Sequence, residues 1–229
     1  MSLPVELLAN IFQFLEKPSQ VFPCLLVNST WHHFAKERLY ANIRLDTFET
    51  RNNFIRYLER KANAEKENLD PNNPKLLSAK RITYVGSHRP GVKICRVYPF
   101  GPKLPSLSKI LAHVDIKELA LPGQFESFSP VNAKVDLPAN SIQMLNVSYS
   151  TLQKEIILQI VKAYNKTLKT IDMSGIFRFK RLDPSLVTEI LTICPGLETI
   201  ILNNCQDIRH EYIEKLKLNY TSVKFVKDD

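Results

Sequence analysis

The chain has 229 residues, a formal net charge of +8 and 44% hydrophobic residues, a composition typical of a globular protein with one large or two small domains. Its longest apolar run, VFPCLLV at residues 21–27, is far shorter than the ~18 residues that a membrane-spanning helix needs. The first fifteen residues lack the basic leading region of a secretory signal. We therefore expect a protein of the cytoplasm or the nucleus without a membrane partner.

Three short helices are predicted in residues 1–42. The first covers LPVELLANIFQFL, with Pro4 early in the helix and Ser2 ahead of it as a cap. The second begins near Val21, and the third runs through STWHHFAKERLY. Apolar residues cover too much of the first helix for a single buried stripe, and three short helices bury little surface among themselves. This surface is therefore expected to bind a partner or to pack on the rest of the chain.

The net charge is concentrated in one segment. Residues 51–103 contain twelve basic and four acidic residues, which accounts for the whole excess of +8. We interpret residues 43–115 as irregular first repeats with a helix at ETRNNFIRYLERKANAEKE, a mobile loop at ENLDPNNPK and a strand at KRITYVG. A solvated basic loop is favoured over a nucleic-acid surface because no nucleic-acid-binding motif accompanies the charge.

From residue 116 onward the chain repeats itself. Four segments share an apolar template, IKELAL, IQMLNV, LKTIDM and LETIIL, and a fifth, VKFVKD, retains Val223 and Val226. The central apolar residues, at positions 119, 145, 171, 200 and 226, are spaced by 26, 26, 29 and 26 residues, and amphipathic helix patterns lie between them. This period falls in the ~20–29-residue range of leucine-rich repeats. It predicts an α/β solenoid over residues 116–229 with parallel strands on its concave face.

Strand alternation predicts which side chains line that concave face. Most of them are small or polar, as in a groove that seats a peptide or the edge of a protein; a solvated face that binds nothing is the alternative. The candidate binding residues are Met144, Asn146, Thr170, Asp172, Thr199, Ile201, Asn203, Phe225 and Lys227.

The sequence offers no motif for chemistry. Its four cysteines form no C-x-x-C pair and have no zinc-like spacing with histidine, so we predict buried reduced thiols and no metal site. Glycine-rich phosphate-binding motifs and a nucleophile–base constellation are also missing. We therefore predict no cofactor and no catalytic residues.

The N-terminal sequence LPVELLANIFQFLEKPSQVFPCLLVNSTWHHFAKERLY resembles an F-box. The resemblance rests on the Leu-Pro-x-Glu-Leu-Leu start, the Ile-Phe-x-x-Leu end of the first helix and the later Cys-x-x-Val-x-x-x-Trp. Ser29 and Thr30 stand where a basic residue commonly precedes the tryptophan. With the degenerate repeats that follow, the chain is similar to small fungal F-box/leucine-rich-repeat proteins.

This resemblance implies a non-catalytic substrate-recognition subunit of an SCF (Skp–cullin–F-box) ubiquitin ligase. Residues 1–42 would bind a Skp-type adaptor, and through it a cullin, while the repeats bind a protein substrate. The adaptor contacts implied by position are Leu3, Pro4, Leu7, Ile11, Leu15, Cys24, Val27 and Trp31.

Two other interpretations stay open at the level of sequence. In the first, the N-terminal helices would cover the end of the solenoid as a capping unit and bind no adaptor. Alternatively, an F-box scaffold would act outside the ligase, in a chromatin or nucleic-acid assembly reached through residues 51–103. Its stacking groups would be Tyr57, Tyr84, Tyr98 and Phe100.

Overall fold

The computed structural model describes residues 4–15, 18–45, 47–66, 77–84, 104–122, 137, 141–176, 183–205 and 208–228. These residues form a mixed α/β protein in which N-terminal helices precede a parallel sheet. Within them, no helix is both long and apolar enough to span a bilayer.

The helices occupy the N-terminus and most of the connections between strands. Before the first strand lie α1 (Val5–Phe14), α2 (Pro18–Val21), the short 3-10 helix η1 (Phe22–Leu26) and α3 (Ser29–Ala41). Between later strands lie α4 (Phe48–Lys66), α5 (Leu104–Leu111), α6 (Lys154–Ala163), α7 (Ser185–Ile193) and α8 (His210–Asn219).

Seven strands form one sheet whose order follows the chain, and every neighbouring pair is parallel. They are β1 (Asn42–Leu45), β2 (Leu77–Tyr84), β3 (Val114–Ala120), β4 (Met144–Asn146), β5 (Thr170–Asp172), β6 (Thr199–Ile201) and β7 (Lys224–Val226). Because β1 follows α3 directly, the sheet begins at the start of the segment interpreted as irregular first repeats, residues 43–115.

A row of aliphatic residues crosses the middle of the sheet and holds it to the helices. The cross-strand register aligns Ile43, Ile82, Leu119, Leu145, Ile171, Ile200 and Phe225. These residues share one core cluster with apolar side chains of α5 to α8, such as Leu107, Ile157, Leu186 and Ile213. Burying one aliphatic side chain of this size contributes about 1.5–3 kcal/mol. The opposite face of β4, β5 and β6, the open face, carries half-buried residues at the alternating positions.

The turns after β4, β5 and β6 repeat the same backbone conformation. Tyr149, Gly175 and Asn204 all have positive φ, at 52°, 64° and 56°. A Cβ at Gly175 would overlap the ring of Tyr149, and the Tyr149 hydroxyl accepts a hydrogen bond from Asn204 Nδ2 at 2.9 Å. The predicted period is therefore present in the backbone, whereas the leucine-rich-repeat assignment stays a prediction.

The register of the last strand differs from the predicted one. Phe225, not Val226, lies opposite Ile200, and Val226 lies opposite Ile201. The prediction was one residue out because the connection from β6 to β7 is one residue shorter than the template. The fragment VKFVKD fits the apolar pattern in either register, so its sequence alone does not choose between them.

Candidate functional site

The N-terminal helices expose more large apolar side chains than any other part of the described chain. On α1, Leu7, Ile11 and Phe14 are 50%, 39% and 81% exposed, and their spacing places them along one face of the helix. Phe22, Leu26 and Val27, in and after η1, are 57%, 90% and 56% exposed. We call these six residues the N-terminal apolar surface. Exposed apolar groups at this density are typical of protein-binding sites.

A small separate core holds this surface in place. It contains Phe12, Val21, Cys24 and Ala35, and it is distinct from the core under the sheet. The Phe12 ring meets Trp31 edge-on at a centroid distance of 5.7 Å and stacks on Phe34 at 5.9 Å.

Hydrogen bonds from α3 add to this packing. Arg38 Nε donates to the carbonyl oxygen of Leu15 at 3.2 Å, and His32 Nδ1 lies 3.1 Å from the carbonyl oxygen of Leu25. The first bond ties the end of α1 to α3, and the second ties η1 to the same helix. As a result, the two exposed segments share one support.

The residues predicted to bind an adaptor fall into three groups. Pro4, Leu7, Ile11 and Val27 are exposed, Leu15 and Trp31 are half-buried against the small core, and Cys24 is 9% exposed within it. Cys24 therefore belongs to the small core that packs beneath the exposed residues. Leu3 lies outside the described residues.

Sequence reasoning missed three residues of the surface, Phe14, Phe22 and Leu26. Phe14 continues the Leu7–Ile11 face by one turn, so helical periodicity was a sufficient signal for it. Phe22 and Leu26 lie in a 3-10 helix, whose side-chain directions do not follow the α-helical period, so the sequence offered no comparable signal for them.

A comparison with protein families decides what kind of domain this is. Residues 1–46 match the F-box-like family. The match covers α1 to α3, the small core and the N-terminal apolar surface, and it confirms the F-box resemblance. The search of curated proteins found no match to the chain. F-box domains typically bind Skp-type adaptors and are generally non-catalytic.

The open face of β4 to β6 is the second candidate site. All seven predicted binding residues on these strands and the turn after β6 are half-buried: Met144, Asn146, Thr170, Asp172, Thr199, Ile201 and Asn203.

Asp172 is engaged inside the protein rather than presented to a ligand. Its Oδ2 accepts from Asn146 Nδ2 at 3.0 Å, and its Oδ1 accepts from the backbone N–H and the hydroxyl of Ser174 at 2.9 and 2.6 Å. Asn146 Oδ1 accepts in the same way from Ser148. These bonds order the turns after β4 and β5, so the side chains better placed to meet a partner are Met144, Thr170, Thr199 and Ile201.

Two residues predicted on this face lie on the other side of the sheet. Phe225 belongs to the buried row, and the Lys227 ammonium donates to the carbonyl oxygen of Ile208, which is itself buried in the sheet core. Both placements follow from the one-residue change in register, since such a shift moves every side chain to the opposite face.

The basic segment is described only over residues 51–66 and 77–84. There, Arg51 is 5% exposed, Arg81 Nε lies 3.9 Å from a Glu118 carboxylate oxygen, and Arg56 and Arg60 are exposed on α4. These four guanidinium groups therefore differ in burial and pairing and do not make one uniform basic surface.

The aromatic residues near this segment serve packing where they are described. Tyr57 stacks on Tyr40 and Phe54 with ring centroids 6.3 and 6.2 Å apart, which joins α3 to α4. Burial and the hydroxyl of Tyr57, which accepts from the Tyr40 hydroxyl at 3.2 Å, raise the pKa of Tyr40 to about 12. The side chains of Tyr84, Tyr98 and Phe100, the other predicted stacking groups, lie outside the described part.

The described cysteines are buried and reduced. Cys24, Cys194 and Cys205 are free thiols, and burial raises the pKa of Cys194 to about 11. Among the described residues no three His, Cys, Asp or Glu side chains are grouped to hold a metal ion.

Proposed function

We propose that this chain is the substrate-recognition subunit of an SCF-type ubiquitin ligase. The observation that carries the proposal is the N-terminal apolar surface within residues that match the F-box-like family. A Skp-type adaptor would cover this surface and connect the chain to a cullin. The chain then contributes proximity: holding a substrate near the ubiquitin carrier raises its effective concentration without a reacting group from this protein.

The energetics of this docking favour a few anchors. Phe14 and Leu26 are the most exposed of the six residues, and full burial of either side chain stabilises a complex by about 1.5–3 kcal/mol. Large apolar residues that fill a pocket on a partner commonly dominate an interface. The supporting bonds from α3 keep the two anchors preorganised, which lowers the entropy cost of binding.

The substrate is proposed to bind the sheet, interpreted as degenerate leucine-rich repeats. Met144 and Ile201 would be its apolar contacts on the open face, with Thr170 and Thr199 between them. The strands β4 to β6 contain no Arg or Lys, so this face lacks the cations that phosphate recognition requires. The proposed target is therefore a non-phosphorylated protein of the cytoplasm or the nucleus.

Co-purification with a Skp-type adaptor tests the proposal. The test variant is Leu26→Glu and the matched control is Leu218→Glu, which changes a leucine that is 79% exposed on α8. We expect the wild type and the control to form a stoichiometric complex and Leu26→Glu to lose it. A wild-type chain that stays monomeric beside the adaptor would favour the alternative in which the helices cap the sheet.

An F-box scaffold outside the ligase remains the second candidate because one segment holds the whole net charge. This function predicts binding to DNA or RNA that weakens steeply with salt. Titration of a labelled duplex and a labelled single strand at two salt concentrations measures it. Undetectable binding at low salt removes this candidate.

A further inference from the structure

A cleft of about 520 Å³ lies at the β7 end of the sheet, between α8, β7 and the turn after β6. Its lining includes the apolar Ile213 and Phe225, the basic His210, Lys217 and Lys227, and the acidic Asp228. Its volume is in the range of pockets that bind small ligands.

The floor of the cleft is apolar. Its lining includes the buried side chains of Cys205 and Ile213, which are 1% and 2% exposed. Phe225 is the last member of the buried row, and it is only half-buried, whereas the six residues aligned with it are 8% exposed or less. Because β7 has one neighbour in the described sheet, the outer side of this ring lacks the packing that the rest of the row has.

The rim carries a cation without a carboxylate partner among the described residues. The half-buried Lys227 ammonium donates to the Ile208 carbonyl oxygen and forms no ion pair there. Removing an ammonium from water without a compensating anion is costly, so an anionic group beside it would be stabilising. Lys217, also on the rim, pairs with Glu214 at 2.8 Å on the surface, and exposed pairs of this kind are weak enough to rearrange.

The edge of β7 next to the cleft is suited to an extended chain. The Lys224 N–H donates to Glu198, and the Val226 carbonyl accepts from Leu202, so these groups face β6. Successive residues of a strand direct their backbone groups to opposite sides. Accordingly, the N–H and C=O of Phe225 face the outer edge, where an added strand would form hydrogen bonds and place a side chain in the adjoining cleft.

We propose that this cleft and the β7 edge bind an extended protein segment in which a bulky apolar residue and an Asp or Glu stand two positions apart, because alternate residues of a strand face the same side. The apolar side chain packs on Phe225 and Ile213, and the carboxylate pairs with Lys227. The bound segment would be part of the substrate of the proposed receptor, so its role as a substrate motif rests on that proposed function. Binding itself does not require the adaptor.

Selection of a random peptide library on the purified full-length chain tests the proposal. We expect enrichment of peptides in which an aliphatic or aromatic residue and an Asp or Glu stand two positions apart. Replacing that acidic residue by its amide should weaken binding to the wild-type chain about tenfold, the scale of one charge-assisted hydrogen bond. The acidic and amide peptides are compared on the wild-type chain, so the result does not depend on how a variant folds.

Three variants locate the site. Lys227→Met and Phe225→Ala should each weaken the selected peptides about tenfold, while Lys166→Met, which changes an exposed lysine in the turn after α6, should leave them unchanged. Thermal unfolding verifies that each variant is folded. Enriched peptides without the apolar–acidic pair, or selected peptides that bind Lys227→Met and Phe225→Ala as tightly as the wild type, would overturn the proposal.

The same peptides separate this inference from the proposed function. Leu26→Glu should bind them as the wild type does, because the N-terminal apolar surface is not part of the cleft. Adaptor binding without peptide selection would leave the receptor function standing and refute the cleft. Peptide binding without adaptor binding would leave the cleft standing and refute the receptor function.

Discussion

The two hydrophobic cores of this protein serve different purposes. Under the sheet, residues such as Leu119, Leu145 and Ile171 are fully buried, and this core accounts for the packing of strands against helices. The small core of the F-box-like domain leaves residues such as Phe14 and Leu26 outside it. In the first region apolar residues determine stability and the half-buried face is the proposed substrate surface. In the second, the exposed apolar residues themselves form the proposed adaptor surface.

Leucine-to-alanine changes should lower the free energy of unfolding strongly in the sheet core and hardly at all in the N-terminal apolar surface. Leu145→Ala removes a fully buried side chain from β4 and should lower the free energy of unfolding by about 2–5 kcal/mol. Leu26→Ala should change it by less than ~0.5 kcal/mol, because that side chain is 90% exposed. Chemical denaturation of both variants measures the difference, and equal losses would break the comparison.

Within α1 the same contrast should hold between two phenylalanines. Phe14→Ala should weaken adaptor binding by about thirtyfold, the scale of a hot-spot residue, with little effect on stability. Phe12 is 3% exposed, and Phe12→Ala should instead unfold the small core. Calorimetric titration with the adaptor, alongside circular dichroism, distinguishes the two; a Phe14→Ala variant with wild-type affinity would contradict this assignment.

A glycine pair tests the repeating turns. Gly175→Ala introduces a Cβ at positive φ against the Tyr149 ring and should cost about 1–3 kcal/mol of stability. At Gly196, a Cβ meets no atom within 4 Å, so Gly196→Ala should be neutral or stabilising by up to ~1 kcal/mol. Thermal melts of the two variants provide the readout. Similar melting temperatures would mean that the turn conformation is not constrained.

Cysteine labelling should reveal which core opens more easily. Cys24 lies in the small core, whereas Cys194 and Cys205 lie under the sheet, and a small core is expected to open locally at lower free energy. A maleimide should therefore label Cys24 about tenfold faster than the other two, a ratio that requires a difference of ~1.4 kcal/mol. Adding the adaptor should slow the labelling of Cys24 and leave the labelling rates of the other two thiols unchanged. Site-resolved mass spectrometry follows each thiol, and uniform rates would show that the cores open together.

The smallest expected effect is a change in how stability depends on pH, through Tyr40 where α3 meets α4. The pKa of Tyr40 is raised from 10.0 to about 12, so the unfolded chain releases this proton at lower pH than the folded chain. The stability that depends on the protonated hydroxyl is complete below about pH 10 and is lost as pH rises towards 12. Tyr40→Phe should therefore lose less stability than the wild type between pH 10 and 12. Melting temperatures across that interval measure the difference, and parallel curves would exclude a role for this hydroxyl.

The sequence predicted the features that depend on local periodicity. The strands β3 to β6 and the helices α6 to α8 follow from a regular apolar pattern, and the F-box-like domain follows from a dense motif. A strand at β2 was predicted within the irregular first repeats, whereas β1 was not predicted, because the connections from β1 to β3 are longer and irregular. The register of β7 was wrong because VKFVKD satisfies the pattern in two ways, and only the pairing of Phe225 with Ile200 decides between them.

The site was predicted less completely than the fold. Positions carried over from the F-box motif do not separate Cys24, which supports the surface, from Leu7, which forms it. The exposure of Phe22 and Leu26 depends on the 3-10 geometry of η1, which a helical pattern does not reveal. Similarly, the hydrogen bonds that engage Asp172 depend on the register of β4 and β5.

The order of the strands along the sheet has a consequence for how such a protein changes over evolution. Each strand pairs only with the strands before and after it in the chain. Duplication or deletion of one strand–helix unit would therefore preserve every other pairing and still produce a continuous core. The area of the sheet can grow or shrink by whole units while the F-box-like domain keeps its sequence, so the proposed substrate and adaptor surfaces can diversify independently.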